Sequence, residues 1–67
     1  MKITIYPEDY QATTVADMIA ELEGDEKLMA RLGSRCTGDD IETLAAWLVY
    51  QDVAASYDTE TRQVSLA

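Results

Sequence analysis

Carboxylates are the side chains of this sequence whose types and spacing could do chemistry. The chain of 67 residues carries 13 acidic and 5 basic side chains, a formal net charge of −8. Seven acidic residues in two blocks are the candidate functional residues: Asp17, Glu21, Glu23 and Asp25, then Asp39, Asp40 and Glu42. Such groups could transfer protons, hold a hard cation or bind a basic surface.

The other residue types do not favour enzymatic chemistry. Histidine is absent, which removes the commonest general base and metal ligand. Cys36 follows Arg35 and precedes a helix, a setting that could lower its thiol pKa, but a thiol without a base or partner is usually inert. Asp39, Asp40 and Glu42 lack the spaced ligands and glycine of a calcium loop. We therefore predict a protein that is not an enzyme and binds no cofactor or metal.

The charges are segregated along the chain. Residues 1–26 contain seven acidic residues against Lys2, residues 27–38 contain three basic and no acidic residues, and residues 39–60 contain six acidic and no basic residues. This balance repels nucleic acid and anionic membranes and attracts basic protein surfaces. The pattern predicts a basic protein surface as the partner.

A row of carboxylates can imitate the phosphates of DNA. The row would consist of Asp17, Glu21 and Asp25, which are spaced four residues apart. If one helix continued through all three, successive residues would be separated by about 6 Å along its axis. Duplex DNA presents one charge per about 1.7 Å of axis, so the imitation would be coarse. The alternative interpretation is a solvated surface that keeps the chain soluble.

A helix over residues 39–51 is the element around which the rest of the chain is organised. Its apolar stripe has helical spacing and consists of Ile41, Leu44, Ala45 and Leu48. Its start can be capped in two ways, by Thr37 with Asp40 or by Asp39 with Glu42. We expect it to end at residue 50 or 51.

Two shorter helices are predicted before it. The first runs from residue 13 or 14 to residue 23, and Gly24 closes it with a positive φ angle. Asp25 then caps a second helix over residues 26–32, which Gly33 ends.

Strands are predicted at both ends of the chain. Residues 2–6 alternate polar with β-branched or aromatic side chains, and residues 53–57 and 63–66 form a hairpin to which the first strand adds. Residues 53–57 could instead continue the helix, because Ala54 and Ala55 suit a helix better.

The predicted fold class is α+β, in one compact domain of residues 1–67. Three short helices pack with a small antiparallel sheet, and the element order resembles that of winged-helix proteins. The third helix begins with acidic residues, so we do not expect direct contact with nucleic acid through it. A third hypothesis is that the chain binds DNA as a winged helix through a basic island, Lys27, Arg31 and Arg35.

The remaining features concern location. A single cysteine suits a reducing compartment, the amino terminus lacks a signal-peptide pattern, and no apolar run approaches the ~20 residues of a membrane span. We predict a cytoplasmic protein without membrane contact, and we expect it to be a monomer.

The overall character of two stretches resembles a known class of proteins. MKITIYPEDYQATTVADMIAELEGDE and CTGDDIETLAAWLVYQD are similar to small acidic phage-encoded anti-CRISPR proteins, specifically inhibitors of type I-C interference. The resemblance implies non-covalent binding to the Cascade surveillance complex or to its nuclease, in several members by occupying the basic channel for target DNA. The seven carboxylates would then supply charge matched to Cascade lysines and arginines.

An alternative function is a small protein-binding adaptor or antirestriction-type regulator. Its contact would be a patch of Trp47, Tyr50 and Tyr57, since exposed aromatic side chains dominate interface energetics. The competing interpretation of Trp47 is that it extends the core.

Overall fold

The computed structural model describes residues 1–67 and contains three α-helices and three strands. Strand β1 spans Lys2–Ile5, and a 3₁₀ turn follows at Pro7–Asp9. Helices α1, α2 and α3 span Val15–Gly24, Glu26–Leu32 and Gly38–Ala46, and a π-helical turn continues α3 over Trp47–Gln51. Strands β2 and β3 span Ala55–Asp58 and Val64–Leu66. The predicted α+β class and element order are confirmed.

The sheet is antiparallel, with strand order β1-β2-β3. In its register Tyr57 pairs with Ile3 on one side and with Val64 on the other. The amino-terminal strand therefore adds to the carboxy-terminal hairpin as predicted. The ambiguous residues 53–57 are resolved as strand from Ala55 onward, and Val53 lies outside it.

Side chains cap the amino-terminal ends of all three helices. Thr14 Oγ1 accepts a hydrogen bond from the Asp17 amide, and Asp25 Oδ1 accepts one from the Leu28 amide. At α3, Thr37 and Asp40 form a reciprocal capping box, so the Thr37 alternative is confirmed and the Asp39 alternative is wrong.

The carboxy-terminal ends agree only in part with the prediction. Gly33 has a φ of +83° and ends α2 as expected. Gly24 lacks a positive φ and is the last residue of α1, because Asp25 in extended conformation ends that helix. The helical run after α3 stops at Gln51, where Asp52 enters the left-handed region at φ 52°.

The core lies between the helices and one face of the sheet. Its buried side chains include, from the strands, Ile3, Ile5, Ala55 and Tyr57, and from the helical segments Met18, Leu22, Leu28, Leu32, Ile41, Leu44, Ala45 and Leu48. Burying these groups together is the main driving force for folding a chain this short. No helix has the length and apolar character needed to cross a membrane.

The three aromatic residues of the alternative function do not form one exposed patch. Tyr57 is 0% exposed within the core, whereas Tyr50 is 78% exposed and Trp47 is half-buried against the core. The expectation that Tyr57 contributes to a contact surface is wrong, because β2 is the central strand and Tyr57 shares a face with buried Ala55.

Candidate functional site: two acidic blocks on packed helices

The α1 block consists of the four candidate carboxylates on or directly after α1: Asp17, Glu21, Glu23 and Asp25. Asp17 and Glu23 are exposed, and their carboxylates accept no hydrogen bond from the chain. Glu21 is half-buried and accepts a 3.2 Å hydrogen bond from the backbone amide of Gln11. This bond connects the segment before α1 to the helix.

Asp25 departs from the predicted row of carboxylates. Because α1 ends at Gly24, Asp25 does not continue the four-residue step of Asp17 and Glu21. Its Oδ2 accepts a hydrogen bond from the Tyr10 hydroxyl at 2.7 Å, and its Oδ1 accepts one from the Leu28 amide. These two bonds lower the pKa of the Asp25 carboxyl, with the Tyr10 bond the larger cause. Asp25 is therefore a structural cap that also carries charge.

The α3 block consists of Asp39, Asp40 and Glu42 in the first turns of α3. Asp40 Oδ2 accepts from the Thr37 amide at 3.0 Å, and the Asp40 amide donates to Thr37 Oγ1 at 3.2 Å. Asp39 and Glu42 are exposed and make no such bond through their carboxylates. Negative charge at this end also matches the positive end of the helix dipole.

The two blocks lie on helices that pack directly against each other, α1 on α3. Four of the seven carboxylates are free on the surface, those of Asp17, Glu23, Asp39 and Glu42. The other three have internal partners. Sequence spacing predicted the capping roles of Asp25 and Asp40, but the Gln11 bond to Glu21 joins residues ten apart and left no local pattern.

The acidic side chains are not neutralised by lysine or arginine. The structure contains two ion pairs, and both use the amino-terminal amine, with Asp58 at 4.0 Å and Glu60 at 3.6 Å. All five basic side chains lie farther than 4.0 Å from any carboxylate. The negative charge of both blocks is therefore open to solvent and to a partner.

The hairpin brings one basic residue near the α3 block. Arg62 has a φ of 60° and shares an open depression of about 340 Å³ with Thr37, Asp39, Asp40 and Thr61. Nothing in the sequence pattern pointed to this proximity, because it depends on how the hairpin loop folds back.

Cys36 is not an activated thiol. Burial, and secondarily the charge of Asp40, raises the pKa of the Cys36 thiol, which agrees with the interpretation of Cys36 as inert rather than with a lowered pKa. No three Cys, Asp or Glu side chains converge as possible metal ligands.

Comparison with known proteins gives no match: no family model, no curated protein and no solved structure matches the chain.

Proposed function

We propose that this chain is an anti-CRISPR inhibitor that binds a type I Cascade complex and blocks recruitment of target DNA by acidic mimicry. The observation that carries the proposal is that none of its 13 acidic side chains pairs with a lysine or arginine. The choice of Cascade rests on the resemblance of the sequence to type I-C inhibitors. The protein acts non-covalently, as a monomer in the host cytoplasm.

Uncompensated carboxylates on two packed helices suit a channel that normally holds DNA. A basic channel attracts them over a long range, and the attraction weakens as salt shortens the screening length to about 8 Å at 0.15 M. Asp17, Glu23, Asp39 and Glu42 make the direct contacts. Glu21, Asp25 and Asp40 add charge while they hold the fold.

The experiment measures binding of the purified protein to immobilised type I-C Cascade, and binding of target DNA to that complex, at low and high salt. We expect competition with DNA and an affinity that falls steeply with salt. The variants D17K/E23K and D39K/E42K reverse free carboxylates and spare the caps. Each double variant should weaken binding strongly. Reversal of a single carboxylate should have a mild effect, because one solvent-exposed ion pair at the edge of an interface contributes little.

A matched control separates local contact from total charge. E8K/E26K makes the same change in net charge at two exposed residues that lie outside both blocks and form no ion pair. It should inhibit nearly as well as the original chain. Cascade binding that survives both block reversals, or absence of Cascade binding altogether, would overturn the proposal.

The alternative function, a protein-binding adaptor, is supported by Tyr50 at the end of the helical run. Tyr50 is 78% exposed, and Val53, three residues further along the chain, is 40% exposed. An adaptor of this kind predicts binding that resists salt and is lost in Y50A. The same salt series therefore distinguishes the two functions.

A further inference from the structure

A cleft lies between strand β1 and helix α2. It contains none of the four carboxylates assigned above to direct Cascade contact, and Asp25 is the one residue of the acidic blocks that lines it. We call it the β1–α2 cleft. Its volume is about 180 Å³, and its lining includes Thr4, Asp9, Asp25, Lys27 and Arg31. This volume is below the range of whole-ligand pockets. The cleft suits one side chain of a larger molecule.

Strand β1, beside this cleft, is an edge strand of the sheet and pairs with β2 on one side only. The carbonyl of Met1 accepts a hydrogen bond from the Thr59 amide, and Ile3 and Ile5 lie opposite Tyr57 and Ala55. In an antiparallel ladder the bonding direction alternates, so the amides and carbonyls of Lys2 and Thr4 point away from β2. No other part of the chain bonds them. Such an edge can accept another strand.

The helix side of the cleft carries two unpaired cations. Lys27 and Arg31 are four residues apart on α2, both are exposed, and no carboxylate lies within 4.0 Å of either. Two carboxylates also line the cleft. Both oxygens of the Asp25 carboxylate already accept hydrogen bonds, from the Tyr10 hydroxyl and the Leu28 amide. The Asp9 carboxylate is therefore the free one.

We propose that the β1–α2 cleft binds an extended acidic segment of a partner protein by strand addition to β1. The main chain of the segment pairs with Lys2 and Thr4, which gives affinity without sequence preference. A glutamate or aspartate side chain enters the cleft and bonds to Lys27 and Arg31, which gives the preference for acid. This surface shares only Asp25 with the acidic blocks, and the oxygens of that carboxylate are bonded to Tyr10 and Leu28.

The test uses the full chain and a labelled, end-capped seven-residue peptide that alternates valine and glutamate, at 0.15 M salt. Binding is measured by fluorescence anisotropy and by amide shifts and hydrogen exchange in NMR spectra. We expect the Lys2 and Thr4 amides to shift and to become protected. K27E/R31E should weaken binding about tenfold or more, whereas D9N should strengthen it by removing a repulsive charge.

Controls address charge, backbone and other occupants. R35E alters an unpaired arginine outside the cleft lining and should bind normally, and peptides with glutamine or lysine for glutamate should bind weakly. T4P removes a free-edge amide but no ladder bond, so it should fold and lose the peptide.

Four outcomes would overturn the proposal. They are no peptide binding by the original chain, equal binding by K27E/R31E, and tighter binding of the lysine peptide. The fourth is a concentration-dependent shift of the Thr4 amide without peptide, which would assign the edge to a second copy of the chain. Because the assay contains no Cascade, its result is separate from that of the proposed function.

Discussion

The Tyr10 hydroxyl donates a 2.7 Å hydrogen bond to Asp25 Oδ2, joining residues that are fifteen positions apart. Asp25 is also the cap of α2, so one carboxylate connects the segment after β1 to the junction of α1 and α2. The pKa of Tyr10 is raised, first by burial and then by this bond. The candidate carboxylates therefore include a residue whose hydrogen bonds stabilise the fold.

Removing the Tyr10 hydroxyl tests this connection. We expect Y10F to lower the free energy of unfolding by about 1 kcal/mol, because a hydrogen bond to a charged group is lost while the ring stays packed. The midpoint of thermal unfolding should fall by about 4–8 °C, measured by circular dichroism. Y6F, at an exposed tyrosine, is the control and should change little. Equal stability of Y10F and Y6F would contradict a stabilising bond.

Two carboxyls should make stability depend on acid pH. The Tyr10 bond lowers the pKa of Asp25, and the Thr61 and Glu60 amides lower that of Asp58. Because these pKa values are lower in the folded chain than in the unfolded chain, the stability they provide is present above about pH 4 and is lost as the pH falls below it.

The matched comparison is D25N/D58N. Its unfolding midpoint should fall less than that of the original chain between pH 4 and pH 2. Relief of repulsion among the other carboxylates is common to both chains and cancels. Parallel curves for the two proteins would show that these bonds do not favour the charged form.

The capping box at α3 should be worth a measurable amount. We expect T37A to lose about 1 kcal/mol in urea unfolding, whereas T37S keeps the hydroxyl and most of the stability. Cascade affinity should follow charge rather than the cap, so T37A should bind normally at temperatures where it is folded. A T37A protein as stable as T37S would mean that the box contributes nothing.

Local features of this fold were predictable from sequence because they join residues three or four apart. The Thr37 and Asp40 box, the Asp25 cap and the buried stripe of α3 are of this kind. The burial of Tyr57 depends on β2 taking the centre of the sheet, which only the pairing of both chain ends determines. The π-helical turn had no sequence pattern of its own.

The same distinction applies to the candidate site. Charge segregation identified the two blocks, but the difference between free and bonded carboxylates depends on distant partners such as Gln11 for Glu21. The unpaired state of Lys27 and Arg31 is likewise a tertiary property. Opposite charges are plentiful in the sequence, yet none comes within 4.0 Å of these two.

The hydroxyl of Tyr57 gives the sharpest test of the core. It is fully buried without a hydrogen-bond partner, and burial raises its pKa. An unsatisfied buried polar group costs about 1–3 kcal/mol, so Y57F should stabilise the chain by about 1 kcal/mol and raise the unfolding midpoint by about 4–8 °C. Y50F, at the most exposed tyrosine, is the control and should stay within about 0.5 kcal/mol. If Y57F were instead less stable than the original chain, the Tyr57 hydroxyl would have a hydrogen-bond partner in solution, and that bond would contribute to the stability of the core.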